Sequence, residues 1–368
     1  MDNTVTLQED NVIQKMPEII DSYKNSQEKF LNQKLPKIKV FGVGGAGSNA
    51  VNRMLNKDSY GIEYYVFNTD AQDLKNSLCE NKIILGPNTT KGLGAGGNPE
   101  VGKDAAIESS EEIEKALEGA DMVFITCGMG GGTGTGATPI IAELAKEKGI
   151  LTIGVVTTPF DFEGLKRTRQ AREGIAELEK YADSTVVISD TKLLETVGDL
   201  TVTAAFNEAD YILKQGIHTI SNLLLVPSLI NLDYSDVLSV LKDSGRALIG
   251  IGIASGQNRA IEAAKRAINS PILETSIDGA KSAIVNITSG SNTLLRESGD
   301  SVKYIKEAAG NNIDIIYGLS ICKELKDIYI VTVIATRIEK EKKEPIVQKV
   351  INECENLFTN SKQNLLQV

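Results

Sequence analysis

The segment Gly128-Met129-Gly130-Gly131-Gly132-Thr133-Gly134-Thr135-Gly136 constrains this chain more than any other. It separates an apolar run, Met122 to Cys127, that reads as a buried strand from a stretch that reads as a helix opening near Ala137. Glycine lets the backbone take positive φ and approach a ligand closely, and a helix start offers free N–H groups and a positive dipole end to an anion. Thr133 and Thr135 add hydroxyl donors without bulk. A turn of this kind predicts phosphate binding, and hence a nucleotide.

With 368 residues the chain can bury a sizeable core, and about two domains are expected at roughly 100–200 residues each. A net charge of −10 argues against a basic surface for polyanions, so a nucleotide must be held by local geometry and no nucleic-acid partner is expected. Cys79, Cys127, Cys322 and Cys354 are scattered and form no C-x-x-C pair, which fits a reducing, cytoplasmic interior. The longest apolar stretch, around Leu223 to Leu232, is interrupted by Pro227 and falls short of the roughly 18 residues of a membrane span; no direct membrane insertion is expected. His218 sits in a helical pattern without metal-ligand spacing and reads as structural, so no metal-binding side-chain cluster is expected.

Residues 1–36 are polar and read as a flexible N-terminal extension closed off by Pro36. Beyond it, strands at Ile38 to Phe41, Glu63 to Asn68, Ile83 to Leu85, Met122 to Cys127, Ile150 to Val156 and Ser184 to Ile188 alternate with helical segments such as Asn49 to Leu55. That alternation predicts an α/β fold, a Rossmann-like parallel sheet covered by helices, over residues 37–201. A long central helix is expected over 202–226, stopped by Pro227, then a smaller α+β domain over 227–337 and a charged tail over 338–368.

A first glycine turn, Gly42-Val43-Gly44-Gly45-Ala46-Gly47, also follows a strand and opens a helix, and Asp70 ends the next strand. Alone this satisfies the dinucleotide fingerprint, so an NAD-dependent oxidoreductase is one reading. Two amide cradles on one sheet suit a polyphosphate better. Gly92 to Asn98, with Ala95, Gly96 and Gly97, reads either as a third loop closing over a terminal phosphate or as a surface loop. Gly97 to Lys103 matches most of a P-loop but carries Asp104 where Ser or Thr should follow the lysine, and no strand precedes it; that reading is rejected. Phe206 and Asp210, four apart on one helix face, can stack on a purine and accept the N1–H and N2–H₂ of guanine, or serve as a core phenylalanine beside a solvated aspartate. Glu163 and Arg167, after Pro159-Phe160, can hold ribose and phosphate or simply pair with each other. Asn231, Asp233 and Asp236 have the spacing of a helix cap. The glycine turns themselves offer no base to orient an attacking water.

Together these segments resemble the FtsZ family, tubulin-like GTPases of bacterial division, from about Lys37 to Arg337. The resemblance rests on the first glycine turn, Asn68-Thr69-Asp70, Gly92 to Gly97 with Asn98-Pro99-Glu100, Gly130 to Gly136, Pro159-Phe160 with Glu163 and Arg167, Phe206 with Asp210, and Asn231 with Asp233 and Asp236. It implies GTP/GDP and Mg²⁺ as ligands. The implied nucleotide contacts are Gly44, Gly45, Ala46, Gly47, Ser48, Asn49, Asp70, Ala95, Gly96, Gly97, Gly128, Gly130 to Thr135, Pro159, Glu163, Arg167, Asp190, Phe206 and Asp210. It further implies that Asn231, Asp233 and Asp236 enter the nucleotide pocket of the next subunit, so that hydrolysis is completed in a head-to-tail homopolymer at the division site, tethered to the membrane by adaptor proteins.

The sequence departs from the family pattern in four places. Asp190 stands where asparagine is usual near the guanine, and Thr158 where a basic residue is common. The loop between Asp190 and Phe206 is a residue short, and no Asp-Ile-Pro docking peptide occurs in Asn352 to Val368. A paralogue that forms no ring, and a nucleotide-binding regulator without assembly, are the alternatives.

Overall fold

The computed structural model describes residues 35–55, 61–192, 201, 213–214, 216–217, 220–221, 223–225, 228–230, 232–270 and 276–337. The chain divides into two units, Met1–Ile338 and Glu339–Val368, and the second lies wholly outside the described residues. Phe206, Asp210, His218, Asn231, Cys354 and residues 1–34 of the N-terminal extension also lie outside them.

Ten strands form one sheet: β1 (Ile38–Val43), β2 (Ile62–Asn68), β3 (Asn81–Ile84), β4 (Met122–Gly128), β5 (Leu151–Thr158), β6 (Ser184–Ser189), β7 (Gly245–Ser255), β8 (Ser282–Ser289), β9 (Asp314–Ile321) and β10 (Ile328–Thr336). Their order is β3-β2-β1-β4-β5-β6-β7-β10-β8-β9, and every pairing is parallel except the two that β10 makes. Hydrogen bonding continues from β6 to β7, Ser184 opposite Gly245, so the strands on both sides of residues 202–226 share one sheet.

Parallel strands are buried on both faces and therefore read as unbroken apolar runs. On β4, Met122 and Phe124 join one core cluster while Val123, Ile125 and Cys127 join the other. The first cluster also takes Leu213, Ile217, Ile220 and Leu223, four buried residues at helical spacing whose described neighbours are helical, together with Val237 and Ile334. Helices α1 (Gly44–Met54) and α2 (Ala71–Asn76) add Ala50, Val51, Met54 and Leu74 to that first cluster, whereas α4 (Pro99–Glu108), α5 (Ser110–Leu117), α6 (Thr133–Glu147) and α7 (Leu165–Leu178) supply Ala105, Ile113, Ile141 and Ile175 to the second. A short α3 (Pro87–Thr90) precedes the third glycine loop. Beyond residue 227 come α8 (Tyr234–Leu241), α9 (Arg259–Ile268) and α10 (Leu295–Ala308), the last two packed in a third cluster with β7 to β10.

Two helices start earlier than the sequence suggests: α1 at Gly44 rather than Asn49, and α6 at Thr133 rather than near Ala137. Glycine is a poor helix former, but here contact decides. A Cβ on Gly47 would lie 2.4 Å from the Thr126 carbonyl oxygen, so α1 can rest on β4 only without one. Cys79, Cys127 and Cys322 are buried thiols, and burial pushes Cys127 up to about 12 and Cys322 to about 11, which keeps both protonated and unreactive at neutral pH. Among the described residues no helix is long and apolar enough to cross a membrane.

Candidate functional site

After β1 the chain turns to β2 and β3 on one side, whereas β4 returns to pair with β1 on the other. Ligands of open α/β sheets bind at such a reversal, outside the carboxyl ends of the strands. Both main glycine turns fall there. The amides of the first turns of α1 and α6 lack intrahelical acceptors by geometry, and both helices start at this crevice. Gly44, at φ +72°, opens α1, and a Cβ on it would sit 3.0 Å from the Gly134 amide nitrogen, so the two turns touch. Ala46 and Asn49 are exposed one turn apart on α1, Gly45 is half-buried, and Ser48 is buried with no hydrogen-bond partner for its Oγ among the described residues. A buried hydroxyl of that kind fits a site completed by a ligand.

The third loop joins them. Ala71 donates its amide to the Gly92 carbonyl at 3.1 Å, Gly94 donates to the Thr69 carbonyl at 3.1 Å, and Leu93 bridges Asp70. Ala95 is buried beside Gly132, while Gly96 and Gly97 are exposed with open space where a side chain would be. Asn98 then caps α4 by accepting from the Glu100 amide, so the lysine-containing segment starts a helix after a loop and not after a strand.

Around this cradle the polar candidates already have partners. Asp70 caps α2 through the amides of Gln72 at 2.8 Å and Asp73 at 3.2 Å. Glu163 accepts the Phe160 amide at 3.0 Å and pairs with Arg167 four residues on, so the pairing reading is present in this structure. Pro159 and the Arg167 carbonyl both pack on Gly130. Gly130 donates its amide to Thr135 Oγ1 at 2.8 Å inside the second turn, which makes Thr135 a brace of the turn; its side chain is buried. Gly128 and Gly131 are half-buried at the same strand end, and Asp190 is buried just past β6. The structure therefore gathers the three glycine segments, Pro159, Glu163, Arg167 and Asp190 at the strands' carboxyl ends.

It does not bring Asp233 and Asp236 there. The two form a reciprocal cap of α8: Asp236 donates its amide to Asp233 Oδ1 at 2.8 Å, and Asp233 donates to Asp236 Oδ2 at 3.0 Å. Between them Tyr234 reaches the Asp121 carbonyl at 2.8 Å, and Asp121 immediately precedes β4. The carboxylates thus belong to the amino end of the strand whose carboxyl end carries the glycine turn. At about 3.3 Å per residue, the seven-residue β4 separates the two by about 20 Å.

Two polar contacts of the site escape a reading by motif: Thr69 meets Thr133, and Gln170 on α7 donates to the Gly97 carbonyl at 3.3 Å. At the far end of α4, Glu108 accepts from the backbone and side chains of Asn88 and Thr89. Thr69 lies inside the quoted Asn68-Thr69-Asp70 run, but its side-chain partner is 64 positions away and invisible in the sequence.

Residues 37–198 match the Tubulin/FtsZ family, GTPase domain, and residues 245–339 match the FtsZ family, C-terminal domain. Among solved structures, an empty FtsZ dimer from M. jannaschii is 40% identical, with a TM-score of 0.79 over 86% of this chain and 92% of that one. CetZ1 from Haloferax volcanii, a GDP-bound monomer, shares the fold at 20% identity, TM-score 0.73, over 87% and 99%. CetZ2, a GTPγS-bound protofilament, does so at 17% and 0.72, over 89% and 99%. The chain, with its glycine cradle at the β1–β4 reversal, belongs to the tubulin/FtsZ family and is a guanine-nucleotide-binding GTPase.

Proposed function

We propose that the protein is a self-assembling GTPase whose subunits stack head to tail into filaments for cell division, each active site being completed by the Asn231, Asp233 and Asp236 loop of the next subunit. The observation that carries this reading is the separation of the cradle and the Asp233–Asp236 cap at opposite ends of β4. Two groups so placed cannot meet within one copy, and stacking along the strand direction brings them together. Leu93, Phe162 and Leu165 are 82%, 74% and 90% exposed on the loops and helix around the cradle, an apolar rim that a subunit contact would cover. The FtsZ of M. jannaschii has been solved as a dimer.

In this mechanism the amides of α1, α6 and the third loop neutralise phosphate charge, and Phe206, Asp210 and Asp190 hold the guanine. Each cap carboxylate commits one oxygen to α8 and keeps the other, which among the described residues has no partner, to polarise a water aimed at the γ-phosphate. The cap holds both carboxylates in fixed positions before the subunits meet. Mg²⁺ bound together with the nucleotide would supply charge neutralisation on its phosphates. Adaptor proteins would bring the filaments to the membrane at the division site.

The test is the GTPase rate per subunit as a function of protein concentration, with light scattering recorded in parallel. A shared threshold is expected. A rate per subunit flat with concentration, without scattering, would leave a nucleotide-binding regulator, and tight NAD binding without GTP binding would restore the oxidoreductase reading.

A further inference from the structure

Thr69 and Thr133 place their hydroxyl oxygens 2.6 Å apart, joining the end of β2 to the first residue of α6. Geometry alone allows either to donate, but burial decides. Thr69 is fully buried, and among the described residues Thr133 Oγ1 is the only hydrogen-bond acceptor in reach of its hydroxyl. A buried hydroxyl proton without an acceptor is unfavourable, so Thr69 must donate. Thr133 is half-buried at the mouth of the crevice, and having accepted from Thr69 it keeps its own proton for something else. That proton is available on the side where the α6 amides and the third loop also present donors. A hydroxyl that already accepts one hydrogen bond is a stronger donor of the next.

We propose that Thr69 is a positioning residue for nucleotide binding: it donates to Thr133 and thereby turns the Thr133 hydroxyl proton outward to a phosphate oxygen. This rests on the crevice being the nucleotide site. The same residue ties the third loop in place, since its carbonyl accepts from the Gly94 amide at 3.1 Å. Thr69 therefore links the second and third glycine segments, but only its hydroxyl bears on Thr133, and the two roles can be separated.

Thr69→Val removes the hydroxyl, keeps the β-branched shape and leaves the carbonyl bond intact. The protein would be titrated with GDP and with a non-hydrolysable GTP analogue, calorimetrically, below any assembly threshold. Thr69→Val should weaken binding about fivefold, and Thr69→Ser should restore it. In a Thr133→Val background, Thr69→Val should weaken binding no further, because its effect runs through Thr133. Thr133→Val alone strands the buried Thr69 hydroxyl, so the melting temperature without nucleotide should fall, and adding Thr69→Val should raise it again. Equal affinity of wild type and Thr69→Val, or an undiminished effect of Thr69→Val in the Thr133→Val background, would overturn the proposal. A wild-type protein that binds neither nucleotide would instead overturn the reading of the crevice.

Discussion

Replacing Asp233 by asparagine separates its two roles. As the N-cap of α8 it accepts the Asp236 amide at 2.8 Å through Oδ1, while Asp236 returns the bond through its own carboxylate at 3.0 Å. Asparagine caps about as well as aspartate, so Asp233→Asn should leave the melting temperature almost unchanged, whereas Asp233→Ala removes the acceptor and costs about 1 kcal/mol. In a unit of this size that is a fall of about 2 °C. The chemical role responds differently. An amide cannot take a proton from water, so both variants should lose about a hundredfold in GTP turnover per assembled subunit, the range expected for general-base assistance. Nucleotide affinity measured in dilute solution should be untouched, because the cradle that binds the phosphates lies at the other end of β4. The assay is turnover with scattering in one cuvette, with melts run beside it. If Asp233→Asn turns over at the wild-type rate once assembled, Asp233 is a helix cap and nothing more, and the subunit-interface mechanism loses its base.

Two further outcomes follow from geometry. In Gly47→Ala the new Cβ would sit 2.4 Å from the Thr126 carbonyl oxygen, so α1 must retreat from β4 by about 0.6 Å to relieve the clash. Overpacking of this kind destabilises by about 1–3 kcal/mol, and the retreat carries the first-turn amides with it, so thermal melts and GTP titration should both register a loss. Glu108 accepts from the Asn88 amide and Nδ2 and from the Thr89 amide and Oγ1, and these bonds, the Thr89 hydroxyl first among them, hold its carboxyl down to about 2. A carboxyl depressed on folding contributes its full stabilisation above its unfolded value near 4.5, and that contribution fades as pH falls from there toward 2. Glu108→Ala should accordingly lower the melting temperature at pH 7 and narrow its gap to wild type by pH 2.5; a gap constant with pH would refute the assignment.

The strands of residues 37–201 were legible because parallel strands, buried on both faces, leave unbroken apolar runs between glycine turns, whereas their order in the sheet was not. Met122 to Cys127 reads as a strand and is one, lengthened by Gly128. Helix starts were less legible. Propensity places them after the glycines, at Asn49 and near Ala137, whereas the chain enters both helices through the glycines themselves because Gly47 and Gly134 lie against neighbouring backbone. Helix α10 leaves little trace in the sequence: its only fully buried positions are Ser298, Ser301 and Ile305, too thin an apolar stripe to register as a periodic segment.

The site divides along the same line. Phosphate-binding turns can be read from a sequence because their chemistry is that of the backbone, and glycine density reports backbone freedom directly. Side-chain roles cannot, because one spacing serves two purposes. The Glu163–Arg167 spacing suits a ligand clamp, and the structure pairs the two with each other; the Asp233–Asp236 spacing is that of a helix cap, which the structure forms, and only the family resemblance implies a catalytic loop there. In the second case the two purposes are compatible, since a reciprocal cap fixes both carboxylates and engages one oxygen of each. What no spacing could reveal is which end of the sheet each group occupies. That follows from Tyr234 reaching Asp121 at the start of β4. It is this polarity, cradle at one end and carboxylates at the other, on which the proposed stack of subunits rests.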